Sequence, residues 1–224
     1  MVKRIRLQKR DEKILEHIKR FRMTTAETLH GEFFDGKGED AVTSTIRRLR
    51  AAQYIVSADL GPPNRRYYHL TAKSTRLLGL PSSFSCSLGE QALPIRHAIL
   101  RFCCTGEDRH LLMPSEFSEE FPSCQEKRIP KEPYYLDSKN GVTRLSFLMP
   151  DLGAEAGRIV RKCRRAFSVR REIEGFKTLI QGDAFSVTVL TARNSKRDAI
   201  IAALKRAESF SDPVSVVVVP DMIL

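Results

Sequence analysis

The strongest constraint on the fold sits near the end of the chain. "FSVTVLT" (185–191) and "VSVVVVP" (214–220) are apolar runs of strand character, and the second reads as a buried final strand. Between them Ser195-x-x-Asp198 predicts the cap of a helix running through Ala207. Strand, helix and strand in this order make a β-α-β unit, which implies parallel strands joined by a right-handed crossover. The class of this part of the chain is α/β.

Upstream, "PYYLDSKNGVTRLSFLM" reads as a hairpin around Asn140-Gly141, a dipeptide that favours a type I′ turn. A long helical region follows, roughly 153–181, with Ile159, Val160, Cys163 and Phe167 inward and a pause near Gly175. "IRHAILRFCC" places Ile95, Ala98, Ile99 and Phe102 on one face of a packing helix. His97 there reads as a core-edge residue, because no acidic or cysteine partner lies near it in sequence. The Pro-, Ser- and Gly-rich run "GLPSSFSCSLGEQALP" ahead of it marks a boundary, and its Cys86 reads as a linker cysteine.

The first eighty residues follow a different pattern. Ile14, Leu15, Ile18 and Phe21 recur at helical spacing and predict a helix from about Asp11 to Arg22. Thr24-x-x-Glu27 reads as a capping box opening a second short helix toward Phe33 and Phe34. After "DGKGED", Asp40 is the expected cap of a third helix, "AVTSTIRRLRAAQ". At about 100° per residue, Val42, Ile46 and Leu49 form its inward stripe. Ser44, Arg47, Arg48 and Ala51 lie opposite, with Thr43 and Arg50 flanking. Small residues there permit close approach, and long donors reach guanine edges or phosphates; a solvated face has the same composition. "YIVSADLGPPNRRYYHLT" then reads as strand, tight loop and strand, with Arg65 and Arg66 at the loop's exit.

Charge separates the two regions. Residues 1–80 carry 17 Lys and Arg against nine Asp and Glu, a net +8, whereas the remaining residues carry 21 against 18. The whole chain stands at +11 in 224 residues, with a hydrophobic content of 42% that supports true cores. This balance suits a polyanionic partner, although membrane-surface proteins share it. No apolar run approaches the roughly 18 residues of a membrane span. "MVKRIRLQKRDEK" lacks the apolar stretch of a signal peptide. Cys86, Cys103, Cys104, Cys124 and Cys163 form no C-x-x-C pair and are odd in number. Neither a disulfide framework nor a zinc ribbon is expected, and a cytoplasmic, nucleoid-associated setting is.

"RRLRAAQYIVSADLGPPNRRYYHLT" resembles the run from recognition helix into wing of a winged helix-turn-helix domain, and "LTAKSTRLLGL" resembles its closing helix. The resemblance implies that the third helix enters the major groove while the wing touches backbone or minor groove. It places Thr43, Ser44, Arg47, Arg48 and Arg50 near base edges or phosphates, and Arg65 and Arg66 on the wing. Lys3, Arg4 and Arg6 are equally an arm along the backbone or a frayed basic start.

The series hairpin, helix, strand, helix, strand resembles the restriction-endonuclease-like PD-(D/E)XK fold. With the winged helix before it, the chain resembles the replication-relaxation family of bacterial plasmid and mobile-element proteins; "SFLMPDLGAEAGRIVRKCRRAF" and "FSVTVLTARNSKRDAIIAAL" carry the likeness. A nuclease of that kind needs an acidic residue on the hairpin's first strand and an acidic-x-Lys pair on the second, which together hold Mg²⁺ and activate water. Here "IPK" puts Lys131 at the first position, and "FLMPD" puts Met149 at the second, retaining Asp151. Asp137-Ser138-Lys139 has literal D-x-K spacing but reads as the entrance to a turn, Glu155 is near enough to join, and Asp151 reads equally as a helix cap.

The expected organisation is therefore an α+β winged helix domain over 1–80, a linker over 81–94, and an α/β restriction-endonuclease-like domain over 95–224, catalytically degenerate. The expected function is regulation of transcription or plasmid replication by binding double-stranded DNA, in a phage or bacterial mobile element, without enzymatic activity or cofactor. Arg158, Lys162 and Arg165, with Arg161 and Arg164 beside them, make a cationic stripe suited to a DNA backbone, to an acidic partner or to solvent. A homodimer or a protein partner is expected at the second domain. The alternatives are a Mg²⁺-dependent nuclease rearranged around Asp151, Asp137 and Lys139, and a protein-docking adaptor.

Overall fold

The computed structural model describes residues 6–62, 64–106, 108–127, 129, 133–139, 141–207, 210–219 and 222. They form two compact units, Met1–Cys104 and Thr105–Leu224. Both mix helix and strand: the first holds a small antiparallel sheet and the second a five-stranded sheet.

In the first unit, α1 (Lys9–Phe21) buries Ile14, Leu15, Ile18 and Phe21 and stops at Arg22, which turns left-handed at φ 68°. Helix α2 (Ala26–Phe33) is capped by Thr25, whose hydroxyl accepts from the Thr28 N–H at 3.1 Å. The expected cap, Thr24, is committed elsewhere. Its backbone N–H and carbonyl pair with Tyr68 at 3.0 and 2.8 Å, so it is held by the hairpin that follows. Helix α3 (Glu39–Ala51) starts from Gly38, which leaves Asp40 inside the first turn beside Glu39, where carboxylates favour the helix dipole. Val42, Ile46 and Leu49 are buried as their spacing predicts.

Strands β1 (Ile55–Gly61) and β2 (Arg65–Leu70) pair antiparallel with a bulge between Asp59 and Gly61. The turn is made by Gly61 and Asn64, at φ 106° and 54°. Helix α4 (Ala72–Leu77) is capped by Thr71.

The division between units falls later than the linker at 81–94. A 3₁₀ turn at Ser82–Ser85 lies against the first unit, where Arg22 Nη2 donates to the Ser83 carbonyl at 2.7 Å and its guanidinium covers the Phe84 ring at 4.2 Å. The Leu88 N–H donates to the Tyr67 hydroxyl at 3.0 Å. Helix α5 (Ala92–Cys104), expected to open the second domain, packs on α1 and α2 and ties Arg101 to Glu27 at 2.7 Å. A run rich in Pro, Ser and Gly reads as a spacer, but Phe84 and Leu88 anchor this one.

In the second unit, β3 (Arg109–Leu112), α6 (Pro114–Glu120) and a 3₁₀ turn at Pro122–Cys124 precede the expected hairpin. That hairpin is β4 (Tyr134–Lys139) and β5 (Val142–Pro150); Asn140 of its turn lies outside the described residues, and Gly141 sits at φ 77°. Helices α7 (Ala156–Arg171) and α8 (Glu174–Gln181) lead to β6 (Phe185–Thr191), then α9 (Asn194–Arg206) to β7 (Val214–Val218). The sheet runs β3-β4-β5-β6-β7; the first two pairings are antiparallel and the last two parallel. The predicted β-α-β unit is present.

Three local expectations shift. The helical break falls at Glu172 and Ile173, and Gly175 instead lies in α8, where a Cβ would strike the backbone of Ser123. Helix α9 begins one residue before Ser195, from Arg193, so Ser195 is not its cap. Strand β7 is half-buried rather than buried, because among the described residues it pairs only with β6.

One face of the sheet packs against the helices around Tyr134, Leu145, Phe167, Phe176, Phe185 and Val187. Inside this core lies a charge: Arg170 is 3% exposed. It donates from Nε and Nη2 to the Tyr134 hydroxyl at 3.1 and 2.6 Å, and from Nη1 to the Ala166 carbonyl at 2.9 Å. The rings of Phe147, Tyr134, Phe176 and Phe185 surround it at 4.3 to 5.6 Å. Their faces supply negative potential beside a guanidinium that, among the described residues, has no carboxylate partner. Among the described residues no helix is long and apolar enough to cross a membrane.

Candidate nucleic-acid interface

Helix α3 divides its cations. Thr43, Ser44, Arg47 and Arg50 are exposed. Arg48 is not part of that open face: Nη1 and Nη2 fork onto the two oxygens of Asp11 at 2.8 and 2.5 Å. Asp11 is fully buried and also accepts the Gln8 N–H at 2.8 Å, which closes the start of α1. Arg48 therefore locks α1 to α3. Hydrogen bonding to this carboxylate raises the guanidinium's proton affinity, burial opposes it, and the carboxylate's charge raises it further.

On the hairpin, Arg66 is exposed and stands across from Asp59, while half-buried Arg65 donates to the Pro62 carbonyl at 3.1 Å. Beside the start of α3, a cavity of about 250 Å³ is lined by Glu27, His30, Glu39, Val42 and Thr43. Its carboxylates make that end of the helix unfavourable for phosphate. The cationic portion is the later half, at Arg47 and Arg50.

In the second unit, Arg158, Arg161, Lys162, Arg164 and Arg165 are all exposed on α7, while Ile159, Val160, Cys163, Ala166 and Phe167 are buried beneath them. The apolar stripe is what fixes this outward basic face.

The chain matches no family model, no curated protein and no solved structure.

The residues proposed for metal-dependent cleavage are not brought together. Asp137 lies within β4, in register with Arg109 on one side and Arg144 on the other. Asp151 follows the far end of β5, seven residues beyond Arg144, a strand distance of roughly 23 Å. The Lys139 side chain and Lys131 lie outside the described residues. Two arginine positions flanking Asp137 are the reverse of what Mg²⁺ coordination needs. Asp151 is buried and accepts the Gly153 and Ala154 N–H groups at 3.0 and 2.8 Å, with Lys196 Nζ 4.0 Å away. It shapes the β5–α7 loop instead of capping α7, which starts from Glu155.

Two cavities escaped the sequence. One of about 340 Å³ opens beyond the ends of β5 and β6, lined by Asp151, Thr191, Arg193, Ser195 and Lys196. The other, about 430 Å³, lies on the sheet face opposite the helices. There Tyr135 and Thr188 share a hydrogen bond of 2.9 Å, and Ser146 and Ser186 one of 2.6 Å. Burial pushes the Tyr135 hydroxyl up, and its bond to Thr188 opposes this. The signal was present in the alternation of Arg144 with Ser146, and of Ser186 with Thr188, at every second position.

Proposed function

We propose that this chain is a double-stranded-DNA-binding regulatory protein of a bacterial mobile element or phage, acting on transcription or replication. In this reading the first unit is a winged helix-turn-helix, with α3 as the groove-entering helix and β1–β2 as the wing. The observation that carries it is the split of α3: Val42, Ile46 and Leu49 are buried while Thr43, Ser44, Arg47 and Arg50 are exposed, in a segment of net +8. Glu39 and Asp40 repel phosphate from the first turn, so Arg47 and Arg50 make the contacts and Arg48 positions the helix. Arg66 adds a contact from the hairpin.

The series of hairpin, helices, strand, helix and strand supports reading the second unit as a restriction-endonuclease-like domain, and the chain as a member of the replication-relaxation group. The separation of Asp137 from Asp151 supports a domain that binds rather than cuts. Its α7 face then adds backbone contacts, dimerisation or docking.

Fluorescence anisotropy of a labelled duplex tests the reading. Affinity is expected to fall steeply as salt rises from about 50 to about 200 mM. Arg47→Ala with Arg50→Ala should weaken binding about tenfold or more at an unchanged thermal midpoint. Full affinity in that variant, or no salt-sensitive affinity in the parent, refutes it.

A further inference from the structure

Three helices of the first unit converge on a cluster that has no part in the DNA-binding reading. His17 of α1, Glu32 of α2 and Cys104 at the end of α5 each bring one ligand-type atom within 4.8 Å of the other two. His17 is buried, Cys104 half-buried and Glu32 exposed, so the cluster opens to solvent on one side. We propose that His17, Glu32 and Cys104 form a zinc site with its fourth position open to water or an exogenous ligand.

The donor set selects the metal. A nitrogen, an oxygen and a sulfur suit zinc, whereas Mg²⁺ and Ca²⁺ take oxygen ligands. Tetrahedral zinc sets donors about 3.5 Å apart, so pairs now within 4.8 Å must close by at most about 1.3 Å. Glu32 is an exposed side chain and Cys104 sits at a helix end, and both can turn that far. The imidazole is already fixed. Its Nε2 meets the Thr24 hydroxyl at 3.1 Å; in the tautomer that carries the proton on Nε2 and donates it to Thr24, Nδ1 is the nitrogen that takes the metal. Phe21 and Phe33 hold the ring at centroid distances of 4.9 and 5.4 Å.

The charges close as well. Binding displaces the Cys104 thiol proton to solvent, and thiolate, carboxylate and neutral imidazole then balance Zn²⁺ to zero. No redox partner is required. The metal would clamp the last turn of α5 onto α1 and α2, adding a link to the Arg101–Glu27 pair.

The test uses the full chain, reduced and stripped with chelator, then titrated with zinc alone and separately with cobalt. One zinc per chain is expected, with a thiolate-to-cobalt charge-transfer band. Cys104→Ser should abolish the band and weaken zinc by more than about 100-fold, beyond what loss of an outer partner costs. Cys86→Ser, which removes an exposed cysteine, should change neither. Substoichiometric binding, or Cys104→Ser binding like the parent, overturns the site. If Cys104→Ser does not fold, Glu32→Gln decides: unchanged zinc affinity in that variant overturns it, and a large loss supports it.

Discussion

Arg48 and Asp11 form a two-pronged pair in which a partly exposed guanidinium holds a fully buried carboxylate, at 2.8 and 2.5 Å. Removing the cation strands the anion. Arg48→Ala is expected to destabilise the chain by about 2–4 kcal/mol, discounted for the solvent that reaches Arg48. Arg47→Ala, one residue earlier on the exposed face, should stay within about 0.5 kcal/mol. Denaturant melts of the two variants check this, and equal losses would mean the pair is not what joins α1 to α3.

The basic face of α7 predicts a salt signature. If it lies on a DNA backbone, replacing Arg158, Arg161 and Lys162 by alanine lowers the slope of log affinity against log salt by about 0.9 per lost phosphate contact. Stability should barely change, because all three are exposed. An unaltered slope assigns this face to solvent or to a protein partner.

Asp151 predicts a structural rather than a catalytic phenotype. Asp151→Ala leaves the Gly153 and Ala154 N–H groups without their acceptor and should cost about 1–3 kcal/mol. Supercoiled plasmid incubated with Mg²⁺ or Mn²⁺ should remain intact with parent and variant alike. Cleavage by the parent that disappears in the variant would restore the nuclease reading.

Acidification should weaken the first unit. Burial first, and the neighbouring Arg20 charge with it, hold His17 down to about 4 against an ordinary 6.5. Glu32 and Cys104 are the other titratable groups beside it. His69 is lowered too, first by burial and also by Arg22, against its bond to the Leu70 carbonyl. Both are neutral when folded and take up protons when unfolded. The contribution of each is complete above about pH 6.5 and declines below it; that of His17 is lost as pH falls toward 4 and amounts to about 3 kcal/mol. Melts of chelated protein between these limits measure the slope. His17→Gln and His69→Gln should each flatten it; an unchanged slope in both contradicts the assignment.

The sequence disclosed elements better than the bonds between them. Ile14, Leu15 and Ile18, then Val42, Ile46 and Leu49, announced the inward faces of α1 and α3, because apolar spacing is a local property. The parallel strands β6 and β7 were legible for the same reason. Contacts across long separations were not. Arg48 looked like its outward neighbour Arg47 until Asp11, 37 residues earlier, was brought beneath it. Thr24 carried a helix-cap motif, yet its backbone was claimed by Tyr68. His17, Glu32 and Cys104 come from three separate helices and share no spacing that marks a ligand set.

Arg170 has a consequence for how α7 can sit. An aliphatic side chain among those rings would tolerate sliding, since one hydrocarbon contact replaces another. A guanidinium tied to the Tyr134 hydroxyl does not: one helical turn, about 5.4 Å, would take it away from both its acceptor and its rings. The buried charge thus acts as a detent, admitting one setting of α7 along the sheet and penalising its neighbours.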